Sequence, residues 1–483
     1  MTLTIVGLGP GDIDDLTRKA WRVLKQATTI YLRTERHPCV PHLPPGSTVH
    51  SFDDLYDRLD DFEAVYATIV ERLIEAAKEG DVVYAVPGDP LVGESTTTRL
   101  LAAARAAGIK VEIVNGISFI EPMLALVEID ALDNLQIIDG LAVAALHHPP
   151  INPDMPAILG QVYSREVASH VKLTLMNQYP DAFPVRLIHA AGTPDAIVEA
   201  LPLYEIDRSP HIGHMTALYL PPLGETTGFE AFQEVIAHLR APEGCPWDRQ
   251  QTHESLRPFL LEEAHEVLEA IDAGDVQALA EELGDLMLQI VLHTQIAIDD
   301  GEFTMSDVIE TINQKMIRRH PHVWGDVQVA GAEQVLANWE DLKREEHVEN
   351  GNERDSLLDG VPKGLPALLQ AHKYQAKAAK PGFDWDRIDE VVAKVREEIV
   401  EIEAAETDDD RAREMGDLLF AVVNWARWLG VDDPESALRQ ANARFYQRFR
   451  YIEQAVAQSD RPMTDYSLAE LDALWDEAKA NGL

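Results

Sequence analysis

Glu262-Glu263-Ala264-His265-Glu266 followed by Glu282-Leu283-Gly284-Asp285 is matched later in the chain by Glu397-Glu398-Ile399-Val400-Glu401 followed by Glu414-Met415-Gly416-Asp417. Within each copy the acids stand three residues apart, as Glu263/Glu266 with Glu282/Asp285 and as Glu398/Glu401 with Glu414/Asp417, so each pair shares one face of a helix. Two such helices side by side point four carboxylates at one spot. Uncompensated, those charges would repel and raise one another's pKa values. Hard divalent cations remove that conflict; Mg2+ is the expected ion, with Mn2+ as the alternative.

One EExxE is an ordinary pattern on a surface helix, and the repeat is what gives it weight. Glu398 and Glu401 follow Glu263 and Glu266 by 135 residues, while Glu414 and Asp417 follow Glu282 and Asp285 by 132. Trp475 and Lys479 follow Trp339 and Lys343 by 136, and Asn442-Ala443-Arg444 with Arg448 answers Asn313-Gln314-Lys315 with Arg319. The reading is a duplicated helical domain. Gly284 and Gly416 cost their helices about 1 kcal/mol each against alanine, which close approach of a helix or ligand would justify. Glu262-x-x-His265 also matches the Glu-x-x-His pair of di-iron bundles, but the second copy has Val400 at the position of His265. His265 therefore reads as a histidine on a helix face.

Residues 1–222 alternate β-rich runs with helical stretches and glycine turns, an α/β pattern. Strands are expected at Leu3–Leu8, Asp81–Val86, Val111–Val114, Lys172–Met176 and Val185–Ala190. The pattern stops at Pro221-Pro222-Leu223-Gly224, and His347–Asp355 reads as a linker, so the expected domains are 1–222, 225–346 and 356–483. The 41 basic and 83 acidic residues give a formal charge of −42, which disfavours nucleic acid polymers as partners. No apolar run approaches the roughly 20 residues of a membrane span. With two cysteines and no signal-peptide pattern at the start, a cytoplasmic protein is expected.

The acid pairs, together with Cys245-Pro-Trp-Asp248, Gln251-Thr-His253, Arg319-His-Pro-His-Val-Trp324, Lys363-Gly-Leu-Pro366 and Gly382-Phe-Asp-Trp385, resemble the MazG family of nucleoside triphosphate pyrophosphohydrolases over residues 225–483. The resemblance implies two tandem all-α four-helix domains and a reaction that converts a nucleoside triphosphate and water to monophosphate and pyrophosphate. It also implies association, as a homodimer or by pairing of the two domains within one chain. In that setting Glu263, Glu266, Glu282, Asp285, Glu398, Glu401, Glu414 and Asp417 are the metal ligands, where Mg2+ would bridge phosphate oxygens and activate the attacking water. Glu262 and Glu397 are candidate water-orienting bases, and equally exposed structural glutamates. Lys315, Arg319, Lys343, Lys394, Arg444, Arg448 and Lys479 suit phosphate. Trp339 and Trp475 read as base-stacking rings, Trp475 equally as a helix anchor. The first copy has Phe259 where the second has Lys394, so its phosphate contacts are expected to be weaker or to come from Arg257.

Ile5-Val-Gly-Leu-Gly-Pro-Gly-Asp12, Pro87-Gly-Asp-Pro90, Asn115-Gly-Ile-Ser118, Met176-Asn177 and Ala191-Gly-Thr-Pro194 make residues 1–222 resemble the tetrapyrrole methylase family. That family binds S-adenosylmethionine between two α/β lobes. By position, Pro10, Gly88, Asp89, Val92, Ser118, Met176 and Gly192 would line the cofactor site. Asn115 replaces the usual proline of its loop, and no tetrapyrrole-contacting basic cluster is legible. Methyl transfer, ligand sensing and a structural role therefore stay open for this domain. A chain whose acidic bundles only sense nucleotides is the non-catalytic alternative.

Overall fold

A computed structural model describes residues 1–59, 61–335, 338, 339, 342, 346, 356–459 and 461–483. The expected linker at His347–Asp355 and the candidate Lys343 lie outside the described residues. The chain divides into two compact units, Met1–Val308 and Ile309–Leu483.

The first unit begins with a five-stranded sheet of β1 (Thr2–Gly7), β2 (Thr29–Leu32), β3 (Thr48–Ser51), β4 (Val82–Val86) and β5 (Lys110–Val114), ordered β3-β2-β4-β1-β5 and parallel throughout. Parallel sheets are covered on both faces and their strands read as continuous apolar runs; β4 is buried at every position. On one face Leu3, Ile5, Tyr84 and Val86 pack with Ile69 and Leu73 of α2 (Phe62–Glu79) and Leu100 of α3 (Ser95–Ala106). On the other, Val6, Leu8, Ile30 and Leu32 pack with Ala20 and Leu24 of α1 (Arg18–Gln26). After α4 (Ile120–Val127) a second sheet follows: β6 (Gln136–Asp139), β7 (Ala157–Gly160), β8 (Pro184–His189), β9 (Ile197–Pro202) and β10 (Thr216–Leu220). Its order is β6-β7-β10-β8-β9, with β6 and β7 parallel and the other pairs antiparallel.

One expected strand is a helix. Lys172–Met176 forms the end of α5 (Arg165–Leu175) and its C-cap, not a strand. The alternation in Lys-Leu-Thr-Leu-Met imitates period two, yet Leu173 is 57% exposed while Val167, Ala168, Val171 and Leu175 bury one helical face in the core of the second sheet. Ser164 starts the helix, its hydroxyl accepting from Val167 N at 3.2 Å.

The first unit ends with α6 (Phe229–Arg240), α7 (His253–Ala273) and α8 (Val276–Asp300), which share a core of Ile236, Leu256, Val291, Leu292 and Ile296. Helix α9 (Met305–Arg319) spans the division between units. The second unit contains α10 (Ala367–Ala379), α11 (Ile388–Ala404), α12 (Asp408–Trp428), α13 (Pro434–Ala457) and α14 (Leu468–Ala480). This is the expected class: an α/β part followed by a helical one. No described helix is long and apolar enough to cross a membrane.

Gly7 at the end of β1 and the loop glycines Gly88 and Gly116 lock the carboxyl edge of the first sheet. A Cβ on Gly116 would stand 2.4 Å from Gly88 O and 3.0 Å from Gly7 C, and one on Gly7 would stand 2.5 Å from Gly88 O. The obstructing atoms are backbone and cannot rotate away. Gly116→Ala is therefore expected to destabilise this sheet by about 1–3 kcal/mol, the usual range for overpacking. Denaturant unfolding checks it; a midpoint equal to that of wild type would contradict the packing argument.

Candidate metal centres

Each predicted acid pair lies on a helical hairpin. In the first, Thr252 caps α7, its hydroxyl accepting from Ser255 N at 3.2 Å, and Gly274 ends that helix at φ +66°. Asp275 then caps α8. In the second, α11 passes through residues 405–407 to α12, which Thr407 caps. The hairpins bring Glu263, Glu266 and Glu282 together in one case and Glu398, Glu401 and Glu414 in the other, with one carboxylate oxygen from each residue inside a 4.8 Å cluster. Asp285 and Asp417 are outside these clusters. Asp285 is near enough to raise the pKa of Glu263 and Glu282, whereas Asp417 is exposed.

The electrostatics differ between copies. Glu263 is held above its ordinary value of 4.5 by burial first, then by Asp285, Glu266 and Glu262. Glu282 is raised by burial and by Glu266 and Asp285. A raised acid favours the protonated fold, so the stability these groups contribute is present at low pH and is lost as pH rises from 4.5 through their raised values. In the second copy Lys394 Nζ stands 2.7 Å from Glu398 Oε1 and 3.1 Å from Glu397 Oε1, and both contacts raise the lysine's pKa. Glu401 is still raised, by burial and by Glu398, Glu397 and Glu414, against the pull of Lys394. Glu398 is 4% exposed and its Oε2 has no hydrogen-bond partner. Phe259 replaces the lysine in the first copy and packs edge-on against Trp247.

Three clustered hard oxygen donors, one of them a buried oxygen with no partner, fit a hard divalent cation. His265 is exposed and joins neither cluster. Of the candidate bases, Glu397 is paired with Lys394, and Glu262 is an exposed neighbour of Glu263.

The predicted phosphate and base residues form a second repeated feature. The Arg319 guanidinium lies over the Trp339 ring at 5.4 Å, and that of Arg448 over Trp475 at 5.3 Å. Arg319 Nε also donates to Glu346 at 3.1 Å, while Arg448 Nε donates to Leu483 O at 2.8 Å. Phe445 packs on Trp475 at 5.3 Å. Lys479 Nζ pairs with Asp476 at 3.0 Å and Lys315 lies near Glu346; among the described residues Arg444 makes no ion pair or hydrogen bond with these groups. Glu346 was missed by sequence reasoning, because the repeat puts Gly482 at its position. Asp384, within the Gly382–Trp385 motif, accepts at Oδ1 from Arg427 at 2.6 Å and from Trp428 Nε1 at 3.2 Å, anchoring the end of α12.

In the α/β part, Pro10, Gly88, Asp89, Val92, Ser118 and Gly192 gather at the carboxyl edge of the first sheet. Gly9 pairs with Gly88, a Cβ on Gly192 would lie 2.6 Å from Pro10, and one on Gly88 would lie 3.8 Å from Ser118 Cα. Val92 N donates to Asp89 O at 3.1 Å. Asp89 Oδ2 accepts from Asn115 Nδ2 at 3.1 Å and Gly116 N at 3.2 Å, which gives the unexpected asparagine a positioning role. Met176 caps α5 and packs against the core of the second sheet.

Residues 2–207 match the model of tetrapyrrole (corrin/porphyrin) methylases, and residues 251–324 match that of the MazG nucleotide pyrophosphohydrolase domain. A Bacillus subtilis protein named uncharacterized protein YabN is 42% identical over 99% of this chain and 98% of its own length. The chain belongs to the YabN-type family, which joins a tetrapyrrole methylase domain to MazG domains. The nucleoside triphosphate pyrophosphohydrolase/pyrophosphatase MazG of Thermotoga maritima is 43% identical over 52% of this chain and 95% of its own length. Among solved structures, uroporphyrin-III-C-methyltransferase from Thermus thermophilus is 23% identical, covering 46% of this chain and 92% of its own at a TM-score of 0.37.

Metal binding to the MazG clusters is expected to stabilise the fold by relieving carboxylate repulsion, as any ligand specific for the native state does. Mn2+ or Mg2+ should raise the melting temperature of the EDTA-treated chain, and the rise should be smaller in Glu263→Gln and in Glu398→Gln. An unchanged rise in both variants would place the bound ions elsewhere.

Proposed function

We propose that this chain hydrolyses nucleoside triphosphates to the monophosphate and pyrophosphate, as a Mg2+-dependent enzyme that clears unwanted nucleotides. The observation that carries the reading is the duplicated carboxylate cluster, each copy on a hairpin of a chain that belongs to this family. The name of the Thermotoga relative, which aligns along nearly all of its own length, supports the same activity. On this reading residues 1–222 form the methylase-like domain, and 225–346 and 356–483 the two MazG domains.

Glu263, Glu266 and Glu282 would hold cations in the first copy and Glu398, Glu401 and Glu414 in the second, with Asp285 and Asp417 as additional ligands. Bound divalent cations supply charge neutralisation for the polyphosphate and acidify a coordinated water. Lys394, which stands on Glu398 at 2.7 Å, would be the cation available to a phosphate oxygen in the second copy. Glu397, beside the cluster, would orient the water. Arg319 and Arg448 offer charge beside an indole face in Trp339 and Trp475, a combination suited to phosphate and base. Lys315, Lys343, Arg444 and Lys479 add positive charge around those sites. The second copy is the stronger catalyst, because Phe259 offers the first no cation at the position of Lys394.

Association into a homo-oligomer is supported by apolar residues left open at identical spacing. Leu283, Met287 and Ile290 on α8 are each about half exposed, as are Met415, Leu419 and Val422 on α12, which follow them by 132 residues. Among the described residues nothing outside the helix's own backbone approaches within 4 Å of a Cβ placed on Gly284 or Gly416. For the methylase-like domain we propose S-adenosylmethionine binding at Pro10, Gly88, Asp89, Val92, Ser118 and Gly192.

Pyrophosphate release from a panel of nucleoside triphosphates with Mg2+ tests the main reading. Glu398→Gln is expected to lower kcat/KM by at least about a hundredfold, given the several kcal/mol a metal ion contributes, and Glu263→Gln by less. Lys394→Gln should fall about tenfold or more, as removing a charge-assisted phosphate contact does. Full turnover in the Glu263→Gln, Glu398→Gln double variant would sink the assignment.

A further inference from the structure

Helix α1 departs from the charge pattern of this chain. Its nine residues, Arg18-Lys-Ala-Trp-Arg-Val-Leu-Lys-Gln26, carry four cations and no acid in a protein of net charge −42. Arg18, Trp21, Arg22 and Lys25 recur at helical spacing and line, with Ile13 and Leu16, a concavity of about 500 Å³. It is a depression open to solvent, which would hold a ligand against the helix face rather than enclose it. Among the described residues Arg18, Arg22 and Lys25 make no ion pair or side-chain hydrogen bond. Trp21 is 40% exposed, with no ring or cation stacked on it. The nearest acids in sequence are Asp12, Asp14 and Asp15; Asp12 caps the turn that Asp14 and Asp15 belong to, and Lys19 lies near Glu112 instead.

The rest of the helix limits what can bind. Ala20 and Leu24 are fully buried against Val6, Leu8, Ile30 and Leu32, so the apolar face already belongs to the protein core and has nothing to insert into a membrane. The long-range field of the chain opposes polyanionic nucleic acid. What remains is a small anion with a planar part: phosphates for two guanidiniums and an ammonium, and a flat ring for the open indole face. We propose that this concavity on the methylase-like domain binds a nucleoside triphosphate, separately from the carboxylate clusters and without a metal ion. The proposal rests on α1 alone and stands whether or not the chain hydrolyses nucleotides.

The test is calorimetric titration of the full chain with ATP and with inorganic tripolyphosphate, in EDTA at low salt. Arg18→Glu/Arg22→Glu should weaken ATP binding at least about tenfold, because each contact reversed is charge-assisted, and Arg18→Lys/Arg22→Lys should keep most of it. Trp21→Ala should weaken ATP binding by about fivefold or more, as loss of base stacking does, and leave tripolyphosphate unchanged. All these positions are exposed, and melting curves confirm that each variant is folded. No ATP binding by wild type in EDTA, or equal binding in Arg18→Glu/Arg22→Glu, would overturn the proposal. So would a change in oligomeric state as the sole effect of the charge reversal, which would assign the patch to an acidic protein surface.

Discussion

Crowding of like charge is the constraint on which the helical half of this protein depends. Three carboxylate oxygens from two helices share a 4.8 Å space in each hairpin, where neighbouring charges in a partly desolvated setting disfavour the ionised form. A fold selected for stability alone would not keep such an arrangement twice. The two copies carry the strain differently: the second places the ammonium of Lys394 on Glu398, while the first has no cation there and leaves Glu263 and Glu282 with raised pKa values. Lys394 thus acts as a resident counter-ion of the second hairpin.

The pairing of acids was legible in the sequence because helix geometry makes i and i+3 neighbours, and because the duplication repeats it with the same chemistry. The aspartates were harder to read. Asp285 and Asp417 share the face of Glu282 and Glu414, but they stand about 4.5 Å further along the axis and carry a side chain one methylene shorter. Periodicity specifies a face and says nothing of reach. The Arg319–Trp339 and Arg448–Trp475 stacks, by contrast, appear where the repeat put those residues.

In the α/β part, strands β1 and β4 announced themselves as apolar runs, as buried strands of a covered sheet do, and β5 and β8 as alternating runs rich in Val and Ile. Strands β6 and β9 have exposed or half-exposed patterns with little to separate them from loops. Lys172–Met176 misled because local alternation was read without Ser164, the cap that begins a helix eight residues earlier. Asn115 was legible only as a departure from a family pattern. Its amide donates to Asp89, a long-range contact that no local rule contains.

The hairpins differ in one dimension that follows from the unequal repeat distances. Helix α7 runs seven residues past Glu266 to Ala273, but α11 runs only three past Glu401 to Ala404, whereas α8 and α12 each begin six residues before their glutamate. The first arm of the second hairpin is four residues shorter beyond its acids, its turn is one residue longer, and the acids still meet. At 1.5 Å per residue the first arm of the second hairpin extends about 6 Å less beyond its acids, while the second arm keeps its length. The tip is therefore a region whose length is free to drift, and a natural place to graft a tag or a new loop without disturbing the carboxylates beneath it.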